Sequence, residues 1–375
     1  MRSADGGNGG VVSGDGTNGG HDRVTPRPLS RRTLLRAGAL VAVAGPLVAA
    51  CTGQPKAAPP DPLQPMLNAA TGDAAAAKAA ATAFADNGAT LAVIAAVRRA
   101  QAAALRAEVN RAAGAPPSQA APTTSAVKPP TDEATVTARL IAGLATAQHQ
   151  AAALMPTLPR YRAGLVGSVA AGCASLAEAL HSTPITVTTA TSTPAAPGGS
   201  ATLSGAPAPS DTAQPPDSSG SAPSAGPTAR LAVDTATALQ DALSSAHAAL
   251  WLYGTASAFV SGSVEAEIVA AMDAVQNLRD ATQQQLTAGG VTPRPAQPAY
   301  LVPTPVSNQR TALSALATAE SDATVAWRSV LEHTDDRALR AAALAALIDS
   351  AVRQTRWRRL AGQSPASIAM PGAGV

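Results

Sequence analysis

A two-metal carboxylate centre inside a four-helix bundle takes one carboxylate from each of two helices and a Glu-x-x-His pair from each of the other two. Glu and His three residues apart lie on one side of a helix, so both can reach the same metals. The glutamates of this chain are Glu108, Glu133, Glu178, Glu265, Glu267, Glu320 and Glu332. They do not supply the two Glu-x-x-His pairs that such a centre requires. Four other groups lie on helical stretches of the C-terminal part: His247 between Leu243 and Leu250, Asp280, Asp349, and Glu320 in the stripe Leu313, Leu316, Glu320, Thr324, Trp327, Leu331. They are the candidates for an altered site, for which iron or manganese would be the metal. The competing reading pairs Glu320 with Arg279 or His247 as a buried polar contact. Burying a carboxylate without a partner is costly, so Glu320 requires one in either case. The second reading is adopted: no catalytic residue is assigned and no cofactor is predicted.

The remaining reactive side chains point to structure first. Cys173 falls in the apolar stripe Tyr161, Leu165, Val169, Cys173, Leu176, Leu180 and reads as a buried, inert thiol. His149 flanks a helical stripe. His181 and His333 sit at helix ends, where an imidazolium suits the dipole. Trp251, Trp327 and Trp357 stand beside leucines at helical spacing, as core first and ligand pocket second. No glycine-rich phosphate loop follows a strand, and no Ser/His/Asp set sits in a recognisable context.

The clearest functional signal lies upstream. Ser30-Arg31-Arg32-Thr-Leu-Leu-Arg36 resembles the twin-arginine export consensus. The uncharged run from Ala37 to Ala50 is shorter than the roughly 20 residues that span a bilayer, so it reads as the apolar region of a signal peptide. Val48-Ala49-Ala50-Cys51 resembles a bacterial lipobox, which implies a lipid on Cys51. Localisation to the extracytoplasmic face of the cell membrane is then expected, with the membrane as one partner. An envelope protein or a small ligand would be the other.

Removing the leader also settles the charge. The chain has 27 Lys+Arg and 24 Asp+Glu, and residues 1–50 hold six Arg and three Asp. The rest is therefore balanced at 21 and 21, which argues against a nucleic-acid partner despite a pI near 9.2. The dense basic group Arg353, Arg356, Arg358 and Arg359 reads as a solvated helix end that complements the dipole. With Cys51 lipidated, Cys173 has no partner for an intramolecular disulfide.

Residues 1–50 read as the signal peptide with its disordered leader and 51–62 as a tether. Residues 63–182 show four helical segments, near 63–86, 88–113, 133–156 and 159–182, with 115–132 as a loop. Residues 183–229 are rich in Ser, Thr, Pro and Ala. They cannot bury a core, so a disordered linker is expected, with a mean reach of roughly 35–40 Å. Four more segments follow, near 230–260, 262–288, 306–333 and 336–360. Ser263, Ser307 and Asp335 are the candidate N-caps, and 361–375 reads as a disordered tail. Both halves run helix, helix, Gly- and Pro-containing crossover, helix, short break, helix. This common plan is consistent with duplication of a four-helix unit.

Residues 230–360 resemble a ferritin-like domain family of unknown function found in exported proteins of high-GC bacteria. The resemblance rests on Ala248-Ala-Leu-Trp-Leu-Tyr-Gly254, Leu278-Arg-Asp280, Pro298-Ala-Tyr-Leu-Val-Pro-Thr-Pro-Val306 and Arg356-Trp-Arg358. It implies a fold and no established reaction. The expectation is an all-α protein, with a ferritin-like four-helix bundle at the C-terminus and a second helical bundle before it. Its expected role is that of a non-catalytic binding or structural module of the envelope, with an altered metal or redox site as the alternative.

Overall fold

In the computed structural model, residues 60–114, 130–181, 230–302 and 304–373 are described. The signal region with Arg31, Arg32 and Cys51, most of the tether, and the 183–229 linker lie outside them. Eight α-helices account for the fold, and no strand occurs among the described residues. They are α1 (Gln64–Ala83), α2 (Gly88–Ala112), α3 (Glu133–Leu154), α4 (Arg160–His181), α5 (Val233–Ser257), α6 (Ser263–Ala288), α7 (Gln309–His333) and α8 (Arg337–Leu360). Alanine, which costs least to place in a helix, fills much of every one of them.

The helix starts depart from the sequence expectation by one residue each. Gly262, with φ of 68°, precedes α6 in place of a Ser263 cap. Asn308 caps α7 in a capping box with Thr311, displacing Ser307. Asp336 caps α8 through the Leu339 N–H. Asp335 instead accepts from Arg160 and Arg340.

Side-chain pairings fix the helix directions in each half. In the first, Arg98 on α2 meets Asp73 on α1 and Cys173 on α4, while Arg162 on α4 reaches Asp61 just before α1 and Glu108 near the end of α2. Those pairings make α1 and α4 parallel to one another and antiparallel to α2. In the second half, Thr235 at the start of α5 donates to His333 at the end of α7, and Tyr253 near the end of α5 meets Glu320. Thus α5 and α7 are antiparallel, and residues 289–308 carry the chain back along the bundle between α6 and α7. That long crossover is the departure from a simple up-down bundle.

The halves share a core. One cluster of buried apolar side chains runs from Leu63 and Ile94 through Val166 and Leu176 to Leu243, Trp327, Leu331 and Leu347. A second gathers Tyr253, Ile268, Leu313, Leu316 and Trp357 at one end of the C-terminal half. Helix α4 sits at the junction. It is apolar and long enough to cross a membrane, and most of it is buried inside the protein. Its glycines allow the close approach. A Cβ on Gly167 would lie 2.5 Å from Leu331, and one on Gly164 2.2 Å from Glu332.

The polar links across this junction are specific. Arg340 donates to the Met155 and Leu158 carbonyls, Ser175 and Thr355 share a hydrogen bond of 2.6 Å, and Arg356 pairs with Glu178. The segment read as a disordered tail is part of the same junction. The Ile368 N–H donates to Ser175, the Gln101 amide to the Ala369 carbonyl, and Ser168 to the Pro371 carbonyl at 2.7 Å. These contacts satisfy the backbone of a segment whose composition alone signals a loop. Asp61, expected in the 51–62 tether, likewise pairs with Arg162.

Candidate functional site

Glu320 is 1% exposed, and its partners are neither Arg279 nor His247. Arg353 from α8 reaches it with two nitrogens, at 2.7 and 3.1 Å. The Tyr253 hydroxyl donates to it at 2.6 Å and receives the Trp357 indole N–H at 2.9 Å. Burial opposes the charge on Arg353, but the Glu320 carboxylate more than offsets this and holds the guanidinium protonated. Burial also pushes the Tyr253 phenol well above its ordinary value, with the neighbouring carboxylate adding to the shift. Glu320 is therefore fully engaged as a hydrogen-bond acceptor inside the bundle.

The other three candidates do not complete a site around it. Asp349 lies on the rim of a groove between α6 and α8. Burial raises its carboxyl, opposed by Arg353 and reinforced by Glu320. Asp280 is half exposed and pairs with its neighbour Arg279 at 2.7 Å. His247 lies near the Arg294 backbone of the crossover. Burial depresses its imidazole, and the charge of Arg279 adds to this. Its Nε2 has no partner among the described residues. No set of three or more His, Cys, Asp or Glu among the described residues comes close enough to hold a metal ion. One Glu-x-x-His spacing is present, from Glu178 to His181 at the end of α4. A single pair on one helix falls short of the two that a two-metal centre needs, and Glu178 pairs with Arg356.

The arginine group at the end of α8 is not a solvated helix end. Arg353 and Arg356 are used in ion pairs, and Arg358 donates to the Pro365 carbonyl. Cys173 is buried, as its stripe implies, but it has polar neighbours. Arg98 Nη1 stands 3.3 Å from its sulfur, and Arg98 itself, 1% exposed, is held by Asp73 and Gln101. Burial pushes the thiol up in spite of the guanidinium.

Concavity and open chemistry coincide elsewhere, between α5, α7 and the crossover. A cavity of about 380 Å³ is walled by Ala248, Trp251 and Leu252 of α5, by Ala315 and Ala319 of α7, and by Tyr300 and Val302 of the crossover. Spacings of three and four residues place these α5 and α7 positions on facing stripes. Trp251 is 37% exposed, while Trp327 and Trp357 are buried, so one of the three tryptophans leaves the core to line the cavity. Its ring lies 6.0 Å from that of Tyr300, tilted by 52°. The Tyr300 hydroxyl accepts from the Gln297 N–H and fixes the crossover there.

Polar groups mark the two ends. Arg310, at the start of α7, is exposed and has no ion-pair partner among the described residues. At the other end lie Asp322, whose carboxyl is raised by burial, and Ser245, whose buried Oγ has no hydrogen-bond partner among the described residues. The sequence named Trp251 and Tyr300, but not their meeting, because the crossover that joins them has no periodicity to read.

Together these features define an all-helical protein whose C-terminal half is a crossover-linked bundle with an apolar cavity beside the crossover. Residues 238–374 match the family described as Domain of unknown function (DUF4439), and the C-terminal region of this chain carries that domain. A similar solved structure is the crystal structure of a conserved hypothetical protein, rv2844, from Mycobacterium tuberculosis. It is 35% identical over 34% of this chain and 98% of that chain, with a TM-score of 0.34. Among curated proteins, none matches this chain.

Proposed function

We propose that this chain is an exported lipoprotein, held at the extracytoplasmic face of the cell membrane through a lipid on Cys51 after export directed by Arg31 and Arg32. Its C-terminal region is a ferritin-like bundle acting as a non-catalytic binding module of the envelope. One observation carries the binding role: a cavity of about 380 Å³ with mostly apolar walls, an aromatic pair and an unpartnered buried hydroxyl. Ligand sites have this character, concave and mostly apolar with few polar groups. The crossover between α6 and α7 supports the ferritin-like assignment. Against the altered metal site stands the use of Glu320 by Arg353 and Tyr253, with Asp280 paired elsewhere.

Two measurements test this reading. Cys51→Ala is expected to move the protein from the membrane fraction to the soluble one; unchanged retention overturns the anchor. Mass spectrometry of small molecules released from natively purified protein is expected to find a component that Ala315→Trp, which fills the cavity, removes. An identical set of molecules from both proteins overturns the binding role.

A further inference from the structure

Resting on that reading, we infer that the cavity between α5, α7 and the crossover takes a single-chain anionic amphiphile of the fatty-acid type, its head at Arg310 and its chain along α7.

Length, walls and charge each contribute. Arg310 and Asp322 bound the cavity along α7, and at 1.5 Å per residue they stand about 18 Å apart. That is close to one leaflet of a bilayer, about half of a hydrocarbon core roughly 30 Å thick. A single extended chain of leaflet length matches that span. Alanine, leucine, valine and the Trp251 ring make most of the walls between and offer dispersion contact. Of the hydroxyls that α7 adds there, Thr311 and Thr318 donate to carbonyls of their own helix and Ser314 accepts from Gln363. A ligand dense in hydrogen-bonding groups would leave most of them unpaired there.

The ends differ in sign, and this gives the ligand a direction. Arg310 has no carboxylate partner among the described residues and sits in the first turn of α7, where the helix dipole also favours an anion. Asp322 at the opposite end repels a negative head. A cationic amphiphile would have to place its head beside Asp322 and its tail end beside Arg310. The free cation at the exposed end, next to the crossover, favours the anionic orientation.

The test uses the full chain with Cys51→Ser, purified without detergent, and titrated calorimetrically with dodecanoate, dodecanol and dodecyltrimethylammonium below their aggregation concentrations. Dodecanoate is expected to saturate at one per chain and to quench Trp251. Arg310→Ala is expected to weaken it by about tenfold, as for loss of a hydrogen bond to a charged group, and Ala315→Trp to abolish it. Arg310→Glu is expected to reverse the order of dodecanoate and dodecyltrimethylammonium. Circular dichroism confirms that each variant is folded, and a variant that is not is replaced by Arg310→Gln or Ala319→Trp. Tighter binding of the cation or the alcohol at this cavity overturns the anionic assignment and leaves the binding-module reading standing. Absence of saturable binding by all three probes, or dodecanoate binding unaffected by both substitutions, overturns the inference. The mass spectrometry of released molecules then decides the broader reading separately.

Discussion

Arg353 grips Glu320 with two nitrogens, and Tyr253 closes the pair from a third helix by donating its hydroxyl to the same carboxylate. Removing one member of such a buried pair leaves an uncompensated charge, whereas replacing both with apolar groups can be close to neutral. Arg353→Met is expected to destabilise the protein by about 3–5 kcal/mol. The double variant Glu320→Leu/Arg353→Met is expected to regain most of that loss. Urea unfolding of the three proteins measures both. A double variant no more stable than Arg353→Met would contradict this account.

His247 gives a pH dependence with a definite sign. Its folded imidazole is depressed below the ordinary value of 6.5 by burial, so the unfolded chain binds the proton more readily. Stability from this group is therefore complete above that value and falls as pH drops below it, toward the folded value. His247→Gln is expected to flatten the decline. Unfolding free energies measured across this range check it, and identical slopes in both proteins would rule out the assignment.

Gly172 separates a packing effect from a propensity effect. A Cβ there would meet the Ala369 carbonyl at 2.0 Å, so Gly172→Ala must displace the C-terminal segment from α4. A loss of about 1–3 kcal/mol is expected, as for overpacking. Gly254 on α5 has nothing within 4 Å of the equivalent position. Gly254→Ala is expected to leave stability unchanged or raise it by up to about 1 kcal/mol through helix propensity alone. Equal effects at the two sites, read from thermal unfolding, would show that the close approach does not matter.

Cys173 reports on the junction between the halves. It is fully buried beside Arg98, and burial holds the thiol protonated. In the Cys51→Ser chain, reaction with a thiol reagent is expected to follow global unfolding, with the same denaturant dependence as circular dichroism. Labelling that runs ahead of unfolding would mean that α4 opens locally.

Helix positions were legible because periodicity and punctuation are local. Asp86-Asn87-Gly88, Gly289-Gly290 and the flanking prolines stand close to the observed ends. The partners of Glu320 were not, because Arg353 and Tyr253 lie 33 and 67 residues away. No local pattern distinguishes an arginine that folds inward from one that faces water. The C-terminal segment was misread for the same reason. Its Gly, Pro and Ser content forbids a helix but says nothing of a docked chain. The cavity was half legible: its aromatic residues were named, while their juxtaposition depends on how the crossover returns along α5.

The docking of residues 368–371 onto α2 and α4 makes one half of the protein sensitive to a distant cut in the chain. Ser168 is fully buried and finds its acceptor 203 residues further on, at the Pro371 carbonyl. Cleavage between α8 and Ile368 would strip that acceptor, and the Ala369 carbonyl from Gln101, without touching any of the eight helices. A nick there would loosen α4 against α2 while leaving every helix covalently whole.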